Sequence, residues 1–237
     1  MDPRTLVVLH NLAQNERIDK LYGCISTGKE ANVYLAESYM HDFIEKEMGD
    51  LTYYAIKVFK TSILEFRDRA RYIEGEFRHR KKKFKGNPRK KIKLWAEKEV
   101  RNLRRICQCG LIRAPWPQYH KNNVIVMDFI GNGRDAAPRL KDAYFSDEDA
   151  NRLYEDVVLM VRHLYQICKL VHGDLSEYNL LYHEQQLWCI DVSQSCEHDH
   201  PMALEFLRRD CSVINEFFSR KKVFVLTTRN FFKFVTD

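Results

Sequence analysis

His172-Gly173-Asp174-Leu175-Ser176-Glu177-Tyr178-Asn179 is followed, twelve residues beyond Asn179, by Asp191 in the segment Ile190-Asp191-Val192-Ser193. Between the two segments, Leu180 to Tyr182 and Leu187 to Ile190 have the short apolar character of strands, divided by a polar turn at His183 to Gln186. A hairpin of that length returns Asp191, at the close of its strand, to the side of Asn179. Asn179 and Asp191 then present hard oxygen atoms suited to Mg²⁺, with Mn²⁺ as the alternative ion.

A third segment, Ala55-Ile56-Lys57, sets a lysine inside the strand-like run Tyr53 to Phe59. An unpaired ammonium in an apolar strand is costly. Lys57 therefore calls for anions, which a nucleotide phosphate and a helix carboxylate would supply. Phosphoryl transfer from ATP needs a cation on the phosphates, a carboxylate near the incoming nucleophile and oxygen ligands for magnesium. Lys57, Asp174 and the Asn179/Asp191 pair answer these needs in that order, and Asp174 and Asn179 have the spacing of the kinase pattern H-R-D-x-x-x-x-N. Each piece alone has a plainer reading. A strand lysine often snorkels to the surface, and a loop aspartate often caps a turn. Order and structural context carry the assignment.

Working outward, Pro3 to Ile18 carries Leu6, Leu9 and Leu12 at helical spacing, with a proline near its start. Asn32 to Tyr39, Tyr53 to Phe59 and Asn123 to Ile130 read as strands, with His41 to Asp50 as a connection and Gly131-Asn132-Gly133 as a break. Leu94 to Ile106 reads as an amphipathic helix through Leu94, Val100, Leu103 and Ile106. Ser146 with Asp149 resembles an N-terminal cap for a helix running to about Lys169, its apolar face carried by Leu153, Val157, Val161, Leu164 and Cys168. Met202 to Phe218 and Arg229 to Val235 read as terminal helices. A strand-rich first half and a helix-rich second half predict an α+β, two-lobed plan, with residues 1–130 as the N-terminal lobe and 131–237 as the C-terminal lobe of one domain.

The charge is unevenly placed. Ten basic residues and no acidic one lie between Arg78 and Lys93, leaving 29 basic against 33 acidic elsewhere, so the formal +6 is a local property. Such a run is either a solvated loop or a phosphate-binding patch for RNA; with only Phe77 and Phe84 interleaved, it offers little for reading bases. Seven scattered cysteines without a paired C-x-x-C framework suit a reducing compartment. Neither a secretory leader nor an apolar run of the ~18 residues a membrane span needs is evident. The expectation is a protein of the cytoplasm, with the nucleus as a second compartment, and no membrane partner.

Ser26-Thr27-Gly28-Lys29-Glu30-Ala31-Asn32-Val33-Tyr34, the 172–179 segment and Ile190-Asp191-Val192-Ser193-Gln194-Ser195 together resemble the RIO family of atypical serine/threonine protein kinases. Lys57-Val58-Phe59-Lys60-Thr61-Ser62, Gly86-Asn87-Pro88-Arg89-Lys90 and Glu197-His198-Asp199-His200-Pro201 resemble its first subfamily in particular. The resemblance implies a protein-kinase-like fold with an antiparallel-sheet N-lobe, a reduced helical C-lobe and Mg-ATP in the cleft between them. It implies Lys57 on the phosphates, Asp174 as catalytic aspartate, and Asn179 and Asp191 as metal ligands. Glu99, four residues before Leu103 as in the family's E-x-x-x-L spacing, would pair with Lys57, with Glu97 as the fallback. Ser26 to Asn32, including Ser26 and Lys29, would replace the glycine-rich loop over the nucleotide. Met127 to Ile130 aligns with the hinge, where backbone groups of Asp128 and Ile130 would meet adenine.

Several departures from ordinary kinases matter. Gly173 stands where they place arginine, Ser176 where many place lysine, and Val192-Ser193 replaces Phe-Gly. Only 46 residues follow Asp191 in this sequence, too few for an activation segment and a full peptide platform. The family shares these losses, and its resemblance implies a switch-like ATPase role beside kinase activity, with Asp191 as a candidate phosphate acceptor. It also implies work in maturation of the small ribosomal subunit, with the pre-40S particle, and its RNA through Arg78 to Lys93, as partners. A binding module with little catalysis is the second functional class. A third is a P-loop NTPase, since Gly23 to Lys29 fits G-x-x-x-x-G-K; Glu30 then stands where Ser or Thr should bind the metal, and a strand follows where a helix should open. Cys196, His198 and His200, and Cys107 with Cys109, read as a polar loop and a helix end rather than as metal ligands.

Overall fold

A computed structural model describes residues 1–15, 17–41, 48–61 and 88–237. The described residues form two compact units, one of residues up to 61 with 88–100 and 116–136, the other of 101–115 and 137–237.

The first unit is a five-stranded antiparallel sheet with a leading helix. Strands β1 (Lys20–Thr27), β2 (Ala31–His41), β3 (Met48–Phe59), β4 (Pro117–Lys121) and β5 (Val124–Asp128) lie in the order β1-β2-β3-β5-β4. Helix α1 (Pro3–Gln14) is capped by the Asp2 carboxylate, which accepts from the Arg4 and Thr5 amides. Its buried stripe is Thr5, Val8, Leu9 and Leu12, whereas Leu6 is 52% exposed. The expected Leu6-Leu9-Leu12 face is thus off by one row. Positions 5, 8, 9 and 12 share a face of a 3.6-residue helix, and polar Thr5 holds its place because its hydroxyl meets Asp2 and the Asn123 amide. The helix also stops at Gln14 rather than Ile18, and Ile18 enters the core from beyond it.

Val8, Leu9 and Leu12 pack on Ala36, Ile56, Val58, Val124 and Val126. Side chains alternate across a strand, so Ile56 and Val58 face α1 while Lys57 between them faces the other way. That alternation decides what Lys57 can meet. Helix α2 (Pro88–Gln108) buries Ile92, Trp95, Ala96, Val100, Leu103 and Ile106. It starts six residues before the expected Leu94, at a proline suited to a first turn, because lysines and arginines extend a helix without showing in the apolar pattern. Of the basic run, Arg89, Lys90, Lys91 and Lys93 lie on this helix; residues 78–87 fall outside the described residues.

After β5 a short hairpin, β6 (Gly131–Asn132) with β7 (Asp135–Ala136), belongs to the first unit, so the division falls after Ala136 rather than after residue 130. In the second unit, α3 (Asp147–Gln166) is capped by Ser146, whose hydroxyl accepts from the Asp149 amide and donates to its carboxylate. Helices α4 (Ala203–Arg220) and α5 (Thr228–Thr236) close around Tyr154, whose ring meets Phe218 at 5.3 Å and Phe231 at 6.3 Å. Two small ladders complete it: β8 (Leu170–Val171) with β11 (Cys196–Glu197), and β9 (Leu180–His183) with β10 (Gln186–Cys189). The β9–β10 turn is Glu184-Gln185, both at positive φ (50° and 60°), as a tight hairpin turn demands.

Candidate active site

In the first unit, Lys57 is 7% exposed and its Nζ lies 2.7 Å from Glu99 Oε1, itself on a residue 1% exposed. Strand alternation turns Lys57 toward the face where α2 runs, and the α2 stripe places Glu99 beside Val100 and Ala96. Glu97 instead reaches Lys93 at 3.9 Å on the same helix, half in solvent. The Lys57 ammonium also stands 5.1 Å from the Phe59 ring centroid. A buried pair of this kind needs each member to stay charged, and a fixed ammonium is what a polyphosphate requires.

Ser26 lies near the end of β1, opposite Val33, and the β1–β2 pairing shifts register on either side of Cys24. The turn that follows is tight: the Gly28 amide donates to the Ala31 carbonyl at 2.9 Å, and a Cβ on Gly28 would stand 3.1 Å from that oxygen. Lys29 is exposed on this turn, while Lys60 Nζ bonds the Gly28 carbonyl at 2.6 Å from the end of β3. The chain after Lys29 is β2, an antiparallel partner of β1. A P-loop wraps phosphate at the opening of a helix, so the G-x-x-x-x-G-K match at Gly23 to Lys29 does not form one.

On β5, one strand in from the other sheet edge, Met127 is buried and pairs with Ala55 and Pro117, and Ile130 beyond the strand is buried too. The Asp128 amide donates to the Trp116 carbonyl at 3.0 Å, and its carboxylate accepts from Gln118 Nε2 at 2.7 Å. The Asp128 N–H is therefore taken up by Trp116, so of the Asp128 backbone groups expected at adenine it is the carbonyl that would serve.

In the second unit the loop 172–179 is held from behind. The Gly173 amide donates to Asp210 Oδ2 at 2.8 Å and the Leu175 amide to Asp210 Oδ1 at 3.1 Å, while Arg209 donates to the Gly173 carbonyl. Gly173 has φ +79°, a conformation that suits glycine and explains the absence of arginine there. Burial pushes the Asp210 carboxyl up to about 7, against the pull of the two amides and Arg209. His172 is likewise buried, held down to about 4 by desolvation, and its Nδ1 accepts from the Asp174 amide at 3.3 Å. With both flanks fixed, Asp174 stands exposed. Asn179 Nδ2 donates to the Asp174 carbonyl at 2.8 Å and approaches its Oδ2 at 3.5 Å.

The β9–β10 hairpin does return the chain, for the Ile190 amide donates to the Asn179 carbonyl at 3.0 Å. Asp191, however, does not close a strand. It stands two residues past Cys189 at φ +57°, a left-handed conformation, and Ser193 Oγ donates to its Oδ1 at 3.0 Å. Such backbone strain in a non-glycine residue concentrates at functional sites. Asn102, on α2, donates to the carbonyls of Val192 and Ser195 at 3.0 and 3.2 Å and so fixes the segment after Asp191.

These geometries suit a hard divalent cation. Asn179 commits its amide nitrogen to Asp174, which leaves its oxygen to act as a ligand, and Asp191 offers a carboxylate. Two such oxygen ligands, with water and phosphate for the rest, match how Mg²⁺ is usually held. Among the described residues no group of three or more His, Cys, Asp or Glu side chains is arranged to hold a metal. His198 packs on Tyr165 and His200 stacks on Phe206, and none of the seven cysteines is in a disulfide. Burial pushes the Cys168 thiol up to about 12, so it is no thiolate ligand.

Asp210, Arg209, Asn102 and Lys60 were not among the expected site residues. A carboxylate and an arginine side by side in an amphipathic helix look like surface charge; only the burial of Asp210, at 2% exposure, would have marked it.

A RIO domain family model matches residues 32–231. The chain is 50% identical over its whole length to the serine/threonine-protein kinase rio1 of Dictyostelium discoideum and 49% identical to the human serine/threonine-protein kinase RIO1, spanning 39% and 40% of their lengths. Against human RIO3 the identity is 42% over 93% of this chain and 42% of that protein. Among solved structures, the Rio2 kinase–ADP/Mg²⁺–phosphoaspartate complex of Chaetomium thermophilum superposes with a TM-score of 0.70 at 21% identity, covering 97% of this chain and 66% of that one. The fold is thus the two-lobed, protein-kinase-like α+β fold, and with the family model spanning most of its length the chain belongs to the RIO family.

Proposed function

We propose that this chain is the ATP-dependent phosphotransferase domain of an atypical serine/threonine protein kinase. The observation that carries the reading is the 172–191 framework, in which a buried carboxylate fixes the loop backbone on either side of Asp174 while Asp174 itself stands exposed, bonded through its carbonyl to Asn179. Asp174 orients a serine or threonine hydroxyl, or water, and takes its proton as the nucleophile attacks. Lys57, kept in place by Glu99, receives the phosphates. Ser26 and Lys29 lie on the turn that would cover them, and the backbone about Met127 to Ile130 would read the adenine edge. Asn179 and Asp191 would hold Mg²⁺ or Mn²⁺, which when bound neutralises phosphate charge.

The test is γ-labelled ATP with Mg²⁺, wild type beside Asp174→Ala. Transfer or release of label should fall by at least about a hundredfold in the variant, with ADP affinity kept within about twofold. Equal activity of both proteins would end the reading.

A second reading, hydrolysis through an aspartyl phosphate on Asp191, is favoured by the strained Asp191 backbone and by the phosphoaspartate in the Rio2 relative. An Asp191 oxygen would attack the γ-phosphorus as ADP leaves, and water would then release phosphate. Acid-labile, hydroxylamine-sensitive label that vanishes in Asp191→Asn separates it from stable phosphoserine.

The wider role that we propose, in maturation of the small ribosomal subunit in the cytoplasm or nucleus, rests on family membership and on the basic run Arg78 to Lys93. Charge-neutralised variants of that run that sediment with pre-40S particles as well as wild type would remove it. No helix among the described residues is long and apolar enough to cross a membrane.

A further inference from the structure

The β6–β7 hairpin directly follows the backbone assigned to the adenine ring, and it is built to turn back on its own sheet. Gly133, at φ +56°, opens a two-residue turn and Arg134 completes it. Gly131 permits the return: a Cβ there would collide with the Asp135 carbonyl oxygen and stand 2.8 Å from Phe129 Cε1. Phe129 itself donates its amide to the Tyr53 carbonyl at 3.4 Å and sets its ring 6.3 Å from that of Tyr53. Tyr53 is the β3 residue paired with Glu37 of β2.

Glu37 is 6% exposed, and a carboxylate so buried needs a cation. Arg134 is that cation. Its Nη2 lies 3.4 Å from Glu37 Oε2, and its guanidinium sits 4.4 Å from the centroid of the Tyr22 ring on β1. One side chain thus joins the segment after Ile130 to both strands whose turn carries Ser26 and Lys29.

We infer that Arg134 is a positioning residue for nucleotide, a latch that fixes the ring-reading backbone against the β1–β2 hairpin. The inference rests on the nucleotide reading given above. Because the latch acts on the base side, its loss weakens adenine nucleotides and spares a bare polyphosphate. Arg134 lies at an exposed hairpin tip, its side chain 57% exposed, so water can reach the Glu37 carboxylate once Arg134 is shortened, and urea unfolding of each variant shows whether the sheet still holds.

The experiment measures binding of ADP and of inorganic tripolyphosphate by calorimetry, with KM for ATP and kcat, for wild type, Arg134→Ala and Arg134→Lys. Arg134→Ala should weaken ADP and raise KM for ATP by about fivefold, with kcat changed by less than about twofold and tripolyphosphate affinity unchanged. Arg134→Lys keeps the charge on Glu37 and should recover part of the loss. Unchanged ADP affinity in Arg134→Ala overturns the latch, and so does an equal loss for tripolyphosphate, which would mean a disturbed sheet. Wild-type protein that binds tripolyphosphate but not ADP sinks the adenine reading itself, and the latch with it.

Discussion

The charged groups of the two units are held in opposite ways. In the sheet unit the proposed phosphate-binding group, Lys57, is inside, and its counter-ion Glu99 is inside with it. In the helical unit the proposed working group, Asp174, is exposed, and the buried carboxylate, Asp210, grips the backbone on either side of it. A cation that must meet a polyphosphate gains from a dry setting, where its field is strong. A carboxylate that must take up a proton from an incoming hydroxyl gains from access, and needs rigidity rather than burial. The first arrangement stakes fold stability on the pair; the second stakes only loop geometry.

The comparison breaks most visibly at Lys57. Lys57→Ala leaves Glu99 charged and buried, and breaking such a pair typically costs about 3–5 kcal/mol. Urea unfolding should show that loss. The double variant Lys57→Met with Glu99→Leu, apolar at both ends, should regain most of it while nucleotide binding stays lost. A cost below about 1 kcal/mol for Lys57→Ala would mean that the pair is not desolvated.

Asp210→Ala tests the other arrangement and should cost less. It leaves two loop amides without their acceptor, each worth about 1–3 kcal/mol if they stay dry. The loop can open to water, so the expected total is about 2–3 kcal/mol. Turnover should fall by at least about tenfold while ADP affinity holds. The pH dependence carries a definite sign. In the folded chain the Asp210 carboxyl keeps its proton up to about 7, whereas an ordinary carboxyl starts from 3.8. The folded state therefore binds more protons across that window, and the stabilisation, complete below pH 3.8, drains away as pH rises through 7. Asp210→Asn should flatten that limb in thermal unfolding between pH 5 and 8. An unchanged slope would place the titration elsewhere.

How much of this was legible beforehand follows the same division. Lys57, Asp174, Asn179 and Asp191 stand in short segments whose spacing is itself chemical information, and the choice of Glu99 over Glu97 came from the E-x-x-x-L spacing of the family that the chain resembles. Arg134 and Asp210 work through partners 97 and 37 residues away, and nothing local marks either as more than surface charge. The α1 face was misread because Thr5 looks polar and Leu6 apolar, while the helix uses Thr5 for a hydrogen bond and sends Leu6 to solvent. Strand β4 went unseen because Pro117-Gln118-Tyr119-His120-Lys121 is an edge, where proline is tolerated and one side needs no apolar cover.

The smallest effect sharpens the contrast most. Ser193 is 1% exposed and donates to Asp191 Oδ1, so Ser193→Ala removes one hydroxyl without filling or emptying much space. Folding stability should change by no more than about 1 kcal/mol. Asp191 loses the bond that selects its rotamer, and partners of that kind commonly tune metal affinity by about tenfold or more. Because Asp191 is also held by its backbone and by Asn102 fixing the segment after it, the shift should be nearer threefold to tenfold in the Mg²⁺ concentration for half-maximal turnover, with turnover at saturating Mg²⁺ restored. A fall in turnover that excess Mg²⁺ does not repair would instead place Asp191 among the reacting groups, where its orientation matters after the metal is bound.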